Sequence, residues 1–173
     1  MRLKITTIIA VLVLSNPVSA ADAGSDIPQM INKMMPFAEE FLVDYGEFFP
    51  FGGAMKSDGE VVTISGTDGM GSQPESQDVI ETVKYTLQIG AANQQYRATA
   101  LVYKVNVLPP GKENRSDAVA IEIDHADGYS AVLVFPYKIK DNTVTFGDVF
   151  ARGGQNAIFV SPASQAETSK SGD

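Results

Sequence analysis

The dipeptide Asp127-Gly128, set between the apolar-patterned runs 118–126 and 129–139, constrains this chain more than any other feature. In the first run Val119, Ile121 and Ile123 share parity with His125, while Glu122 and Asp124 point the other way, as in a strand with one buried face. Asp-Gly supplies the positive φ angles of a tight hairpin turn, so the second run should fold straight back. Read as a two-residue loop, the turn pairs Ala126 with Tyr129. Ile123 then faces Val132, Ile121 faces Val134, Glu122 faces Leu133 and Ala120 faces Phe135. Both faces of the returning strand are apolar, which demands some cover on each side. Upstream, Leu101, Tyr103, Val105 and Val107 alternate with Val102, Lys104, Asn106 and Leu108 until Pro109-Pro110-Gly111 ends the run, because proline cannot donate to a ladder. Three antiparallel strands therefore form the centre of the expected fold.

The remaining segments dress this centre. Residues 27–45 place Met30, Met34, Phe37, Phe41 and Tyr45 on one helical face, with Asp26 as N-cap, Pro28 just inside and Gly46 as the stop. Pro36 should kink or split that helix. Phe48, Phe49 and Phe51 flank Pro50 and lead into a short strand, and Asp58-Gly59 then turns it into 61–65. A glycine-rich loop at 66–72 precedes a second helix from Ser76. Ile80, Val83 and Leu87 line one face of it, Glu81 and Lys84 are placed to pair on its surface, and Gly90 is placed to close it. Residues 143–146 read as a small strand, 147–150 as a helical turn or edge strand, and 157–160 as a last apolar patch. The expected architecture is α+β: about five antiparallel strands with two main helices, closed most naturally with helices on one face as a two-layer or three-layer domain, in a single domain spanning 27–160. The tail 161–173 has almost nothing to bury and is expected to stay unstructured.

The chain opens with a basic Met1-Arg2-Leu3-Lys4, a short apolar run and Val18-Ser19-Ala20, the pattern of a secretory signal cleaved after Ala20. The apolar run is about half of the ~20 residues a spanning helix needs, so a periplasmic or secreted protein without a stable membrane anchor is expected. Removing residues 1–20 takes away Arg2 and Lys4 and no acid. The 13 basic residues become 11 against 21 acidic ones, a formal charge of −10. Such a surface disfavours nucleic acid and anionic lipid and favours either solubility alone or a basic protein partner. The chain has no cysteine, so an exported fold must rest on packing alone.

Catalytic signatures are missing from the sequence. No Gly-x-Ser-x-Gly elbow occurs, no thiol exists, and the glycines at 66–71 lack the Lys-Ser or Lys-Thr of a nucleotide-binding loop. Asp68 in that loop lacks the alternating acids of a calcium loop. The lone His125 has Asp127 at the same parity and Asp124 on the opposite face, so a structural histidine is expected, with no metal and no cofactor. The expectation is a non-catalytic binding protein. Its candidate partner-facing residues are Phe48, Phe49, Phe51, Asp68, Glu122 and Asp124. A second expectation is a small-ligand sensor with a pocket between helix and sheet lined by Met30, Met34 and Phe37. A third is a small hydrolase using acids that only a fold could bring together.

The element order resembles that of profilin-like and roadblock-type modules. The run Tyr45-Gly46-Glu47-Phe48-Phe49-Pro50-Phe51-Gly52, with Asp58-Gly59-Glu60, Pro109-Pro110-Gly111, Gly128-Tyr129-Ser130 and Phe135-Pro136-Tyr137, is similar to a family of small, largely uncharacterised bacterial proteins. That resemblance spans roughly residues 34–154 and carries no catalytic residues. Small acidic proteins of this kind include immunity proteins that neutralise toxins, which is the partner class the resemblance implies.

Overall fold

A computed structural model describes residues 23–67 and 74–159. The expected signal segment 1–20, Asp68 with the rest of 68–73, and the tail 161–173 lie outside the described residues. The elements run α1 (Ala23–Tyr45), β1 (Phe51–Lys56), β2 (Val61–Ser65), α2 (Ser76–Ala92), β3 (Tyr96–Val107), β4 (Ser116–His125), β5 (Ser130–Lys140), β6 (Thr143–Phe146) and β7 (Phe150–Gly153). The fold is α+β, as expected, with seven strands among the described residues where about five were anticipated. All pairings are antiparallel, in the order β2-β1-β3-β4-β5-β6, with β7 also on β5. The extra pair comes from Pro136. Its missing N–H faces the outer edge of β5, so the strand laid along that edge breaks into β6 and β7 around Gly147, whose N–H still reaches the Pro136 carbonyl at 2.7 Å.

The helices pack on opposite faces of the sheet, the three-layer form of the expected domain, and not together on one face. A Cβ at Gly53 would strike the Met34 sulfur of α1, whereas one at neighbouring Gly52 would strike Val83 of α2. Successive strand residues point to opposite faces, so these two glycines mark the two sides. On the first side Met30, Met34, Ala38 and Leu42 meet Ala100, Val102, Ile121 and Ile123. On the other Val79, Val83 and Leu87 meet Ala54, Leu101 and Ile158. The apolar character of both sides of the central strands, read in the sequence, is thus answered by one helix per side.

The hairpin register differs by one residue from the two-residue reading. Ile123 faces Ala131, Ile121 faces Leu133, Ala120 faces Val134 and Glu122 faces Val132. His125 N–H bonds the Tyr129 carbonyl at 2.8 Å and Gly128 N–H bonds the His125 carbonyl at 2.9 Å. The loop therefore holds three residues, Ala126-Asp127-Gly128, with Gly128 in the left-handed region at φ +96°. The β1–β2 hairpin repeats the arrangement: Lys56 N–H bonds Glu60 O at 2.9 Å, Gly59 N–H bonds Lys56 O at 3.0 Å, and Gly59 has φ +92°. In both, the aspartate before the glycine accepts the N–H two residues on, Asp58 from Glu60 and Asp127 from Tyr129, each at 3.0 Å. That side-chain bond favours a wider loop with a glycine bulge over the tight turn.

Three further expectations change. The first helix starts at Ala23 and runs through Pro28 and Pro36 unbroken. Pro36 stands on the exposed side, as does Asn32, whose carbonyl it leaves unbonded. Lys84 pairs with Glu122 of β4 at 3.2 Å and not with Glu81, which instead accepts from Gln77. Gly90 does not close α2. It lies within the helix under the Tyr96 ring, where a Cβ would come within 2.0 Å of the ring carbons.

Candidate functional site

Two regions of α1 gather the side chains with chemistry to offer. The first lies at its N-terminal turn. Asp26 occurs four residues before Met30 on the stripe that continues through Met34, Ala38 and Leu42, so the helix carries a carboxylate onto its buried side. There it meets the start of β3 and the end of β4. Arg97 grips both Asp26 oxygens, with Nε and Nη2 each at 2.8 Å, and its Nη1 donates to the Ser57 carbonyl at 2.8 Å. His125 Nε2 lies 3.2 Å from Asp26 Oδ2. Its Nδ1 lies 2.8 Å from Asp127 Oδ1 and 3.2 Å from the Asp127 N–H.

Burial pushes the Asp26 carboxyl upward, but the Arg97 fork and the histidine outweigh it and hold the group below its ordinary 3.8. The Tyr129 N–H, against the cost of burial, holds Asp127 below its ordinary range too, with His125 and the Ala23 N–H adding to the effect. The Ala23 contact makes Asp127 a partner of the first turn of α1, where a carboxylate suits the helix dipole. This cluster clamps helix, two hairpin ends and sheet together. His125 is wholly buried and both ring nitrogens are engaged, leaving no position for a substrate proton. Among the described residues, no group of three or more His, Cys, Asp or Glu side chains is arranged to hold a metal ion.

Asp26, expected as an N-cap, is instead the partner of His125, 99 residues away. One signal was present: an acid standing four residues before Met30, in phase with the buried positions.

The second region lies at the C-terminal end of α1. A groove of about 740 Å³ runs between this helix, the 46–50 connection and β2. Its wall is aromatic: Phe37, Phe41 and Tyr45 from the helix, Phe48 and Phe49 from the connection, and Phe51 from β1. Thr63 and Ser65 of β2 form the floor, and Glu47, Pro50, Thr67 and Ser76 complete the lining. Phe51 anchors the cluster, with Phe37 and Phe48 edge-on at 6.5 and 5.9 Å, and Phe41 leans on Tyr45 at 6.0 Å. Packing every fourth residue from Asp26 to Leu42 against the sheet leaves the neighbouring 37, 41, 45 stripe turned outward. Phe41 is 44% exposed, Tyr45 71% and Phe49 46%. The expected single stripe is therefore two: Met30 and Met34 belong to the core, and Phe37, Phe41 and Tyr45 to the groove.

The candidate partner residues separate accordingly. Phe51 is buried, Phe48 half-buried against the core and Phe49 exposed in the groove. Glu122 is turned toward α2 and held by Lys84. Asp124 is buried and holds the C-terminal segment, accepting Ser130 Oγ–H at 2.6 Å and the Ile158 N–H at 3.0 Å. Asp68 lies outside the described residues. Of the expected ligand pocket, Met30 and Met34 are fully buried in the packed core and only Phe37 lines an opening. No helix of the described residues is long and apolar enough to cross a membrane. Comparison with known proteins finds no matching family model, no matching curated protein and no matching solved structure.

Proposed function

We propose that this is an exported, non-catalytic protein whose task is to engage a protein partner, of which a basic toxin to be neutralised is one example. The observation that carries the reading is the exposed aromatic groove at the end of α1. A contiguous cluster of Phe and Tyr rings left in water costs solubility and is kept where a partner covers it. The acid balance of −10 for residues 21–173 supports a partner of opposite charge, drawn in by long-range attraction. The basic, apolar opening of the chain supports export. The test is capture from cell-envelope extract at low ionic strength with the exported chain as bait. A specific basic protein released as salt is raised is the expected result, and the absence of any specific protein overturns the reading.

A further inference from the structure

The two outer edges of the sheet are treated differently. Along β5 the edge is broken at Gly147–Val149 and carries Arg152 in β7, the interruptions and charges that keep an edge from pairing with another chain. Val61-Val62-Thr63-Ile64-Ser65 of β2 has no charge, no proline and no break in its register with β1. Among the described residues β2 pairs with β1 alone. The Lys56–Glu60 pair is hydrogen-bonded across the turn, so bonded pairs alternate from there: Ala54 with Val62 and Gly52 with Ile64. The backbone groups of Val61 and Thr63 are consequently directed to the open edge. On the α1 face, the same strand floors the aromatic groove.

We infer that this edge and this groove form one docking surface, which takes an extended segment of a protein partner as an added strand on β2. This rests on the partner-binding reading above and specifies its chemistry. Side chains of an added strand alternate between faces, so every second one drops toward Phe41, Tyr45 and Phe49 and must be aromatic or aliphatic. Charge fixes the rest. The groove lining has one charged residue, Glu47, and no basic one. Glu40 and Asp44, each three residues on from a groove phenylalanine of α1, are exposed beside it. The occupant is therefore an apolar, alternating segment flanked by Lys or Arg, whose cations meet the acids and the faces of the rings.

The test uses residues 21–173 and a labelled synthetic peptide with phenylalanine and valine at alternate positions and paired lysines at both ends, followed by fluorescence anisotropy. Binding is expected, together with slowed amide exchange at Thr63. A counterpart with glutamates for lysines should bind at least about tenfold more weakly at low salt. Phe41→Ser, Thr63→Pro, and peptide N-methylation at alternate residues should each weaken binding by about thirtyfold, the cost of one well-packed anchor. Thr63→Pro removes an outward N–H and replaces one side chain of the groove floor but breaks no bond to β1, so an unchanged far-UV spectrum is expected, and the N-methylated peptide isolates the backbone contribution. Failure of the lysine peptide to bind, equal binding of both peptides, or indifference to Thr63→Pro overturns the inference. So does a concentration-dependent dimer abolished by Thr63→Pro, which would give the edge to a second copy. A captured envelope protein that holds the F41S and T63P variants as firmly as the parent overturns the groove while leaving partner binding standing.

Discussion

The two ends of α1 invert the usual division of labour between polar and apolar residues. At its start a carboxylate, a guanidinium and an imidazole are packed inside, with Asp26 and His125 almost wholly shielded from water. At its end Phe41 and Tyr45 stand in solvent. Neighbours account for both. Asp26 goes inside because Arg97 supplies two parallel N–H donors and His125 a third contact, so no buried oxygen is stranded. The rings stay outside because α1 sets its buried stripe on β1, β3 and β4 and leaves Thr63 and Ser65 of β2 exposed. Burial of charge here serves the fold, and exposure of rings is the feature a fold would not choose for itself.

The largest way to break this contrast is to remove the charge that holds the buried end. Asp26→Ala strands Arg97 and His125 and should cost about 3 kcal/mol in denaturant unfolding, because the loss of one partner leaves the others desolvated and unpaired. The sign of the pH dependence follows from the lowered carboxyl. Its stabilisation is complete above the ordinary value of 3.8 and is lost as pH falls from about 4 through the lower folded value. Asp127, lowered as well, acts in the same direction. Parent protein should therefore weaken on acidification below pH 4, and Asp26→Asn should start weaker but show a shallower slope there. An equal slope would mean that folding leaves the Asp26 carboxyl at its ordinary value.

A smaller effect is expected at the second buried acid, on the opposite face. Ser130 donates to Asp124 at 2.6 Å and accepts the Asn156 N–H at 2.8 Å, so one hydroxyl ties β5 to the C-terminal segment. Ser130→Ala should cost about 2 kcal/mol by leaving a buried carboxylate short of a donor. Hydrogen exchange should quicken at Asn156 and Ile158 first. Uniform quickening across the sheet would instead make that segment part of the core's own cooperative unit.

How much of this was legible beforehand depended on whether the deciding contact was local. The strand runs from Tyr96 to Lys140 were readable because alternation and proline stops act within a few residues. Loop length was not, since Asp-Gly suits both a two-residue turn and a three-residue one. The choice fell to the Asp127 carboxylate bonding the Tyr129 N–H. The split of the α1 stripe was half legible: spacing by four fits 30, 34, 38, 42 as well as 37, 41, 45. Which set is buried depends on how the helix lies across a sheet whose strands come later in the chain. Clustering of Phe48 to Phe51 was visible in the sequence, but its division between core and groove was not. The Asp26–Arg97–His125 cluster joins residues 71 and 99 apart, beyond any local pattern.

The smallest stability effect tests the exposed end. Serine has a helix propensity close to those of Phe and Tyr, so Phe41→Ser and Tyr45→Ser change little in the helix itself. With Tyr45 71% exposed, its loss should move stability by no more than about 0.5 kcal/mol, and Phe41, 44% exposed, only slightly more. A packed phenylalanine truncated this far would cost about 3–5 kcal/mol, a gap that thermal and denaturant unfolding resolve easily. Near-neutral stability, combined with loss of the captured partner, would show rings retained for something other than folding. A loss of several kcal/mol would mean that the rings are covered in the free protein. The two ends of α1 would then be two parts of one core, and the contrast between them would vanish.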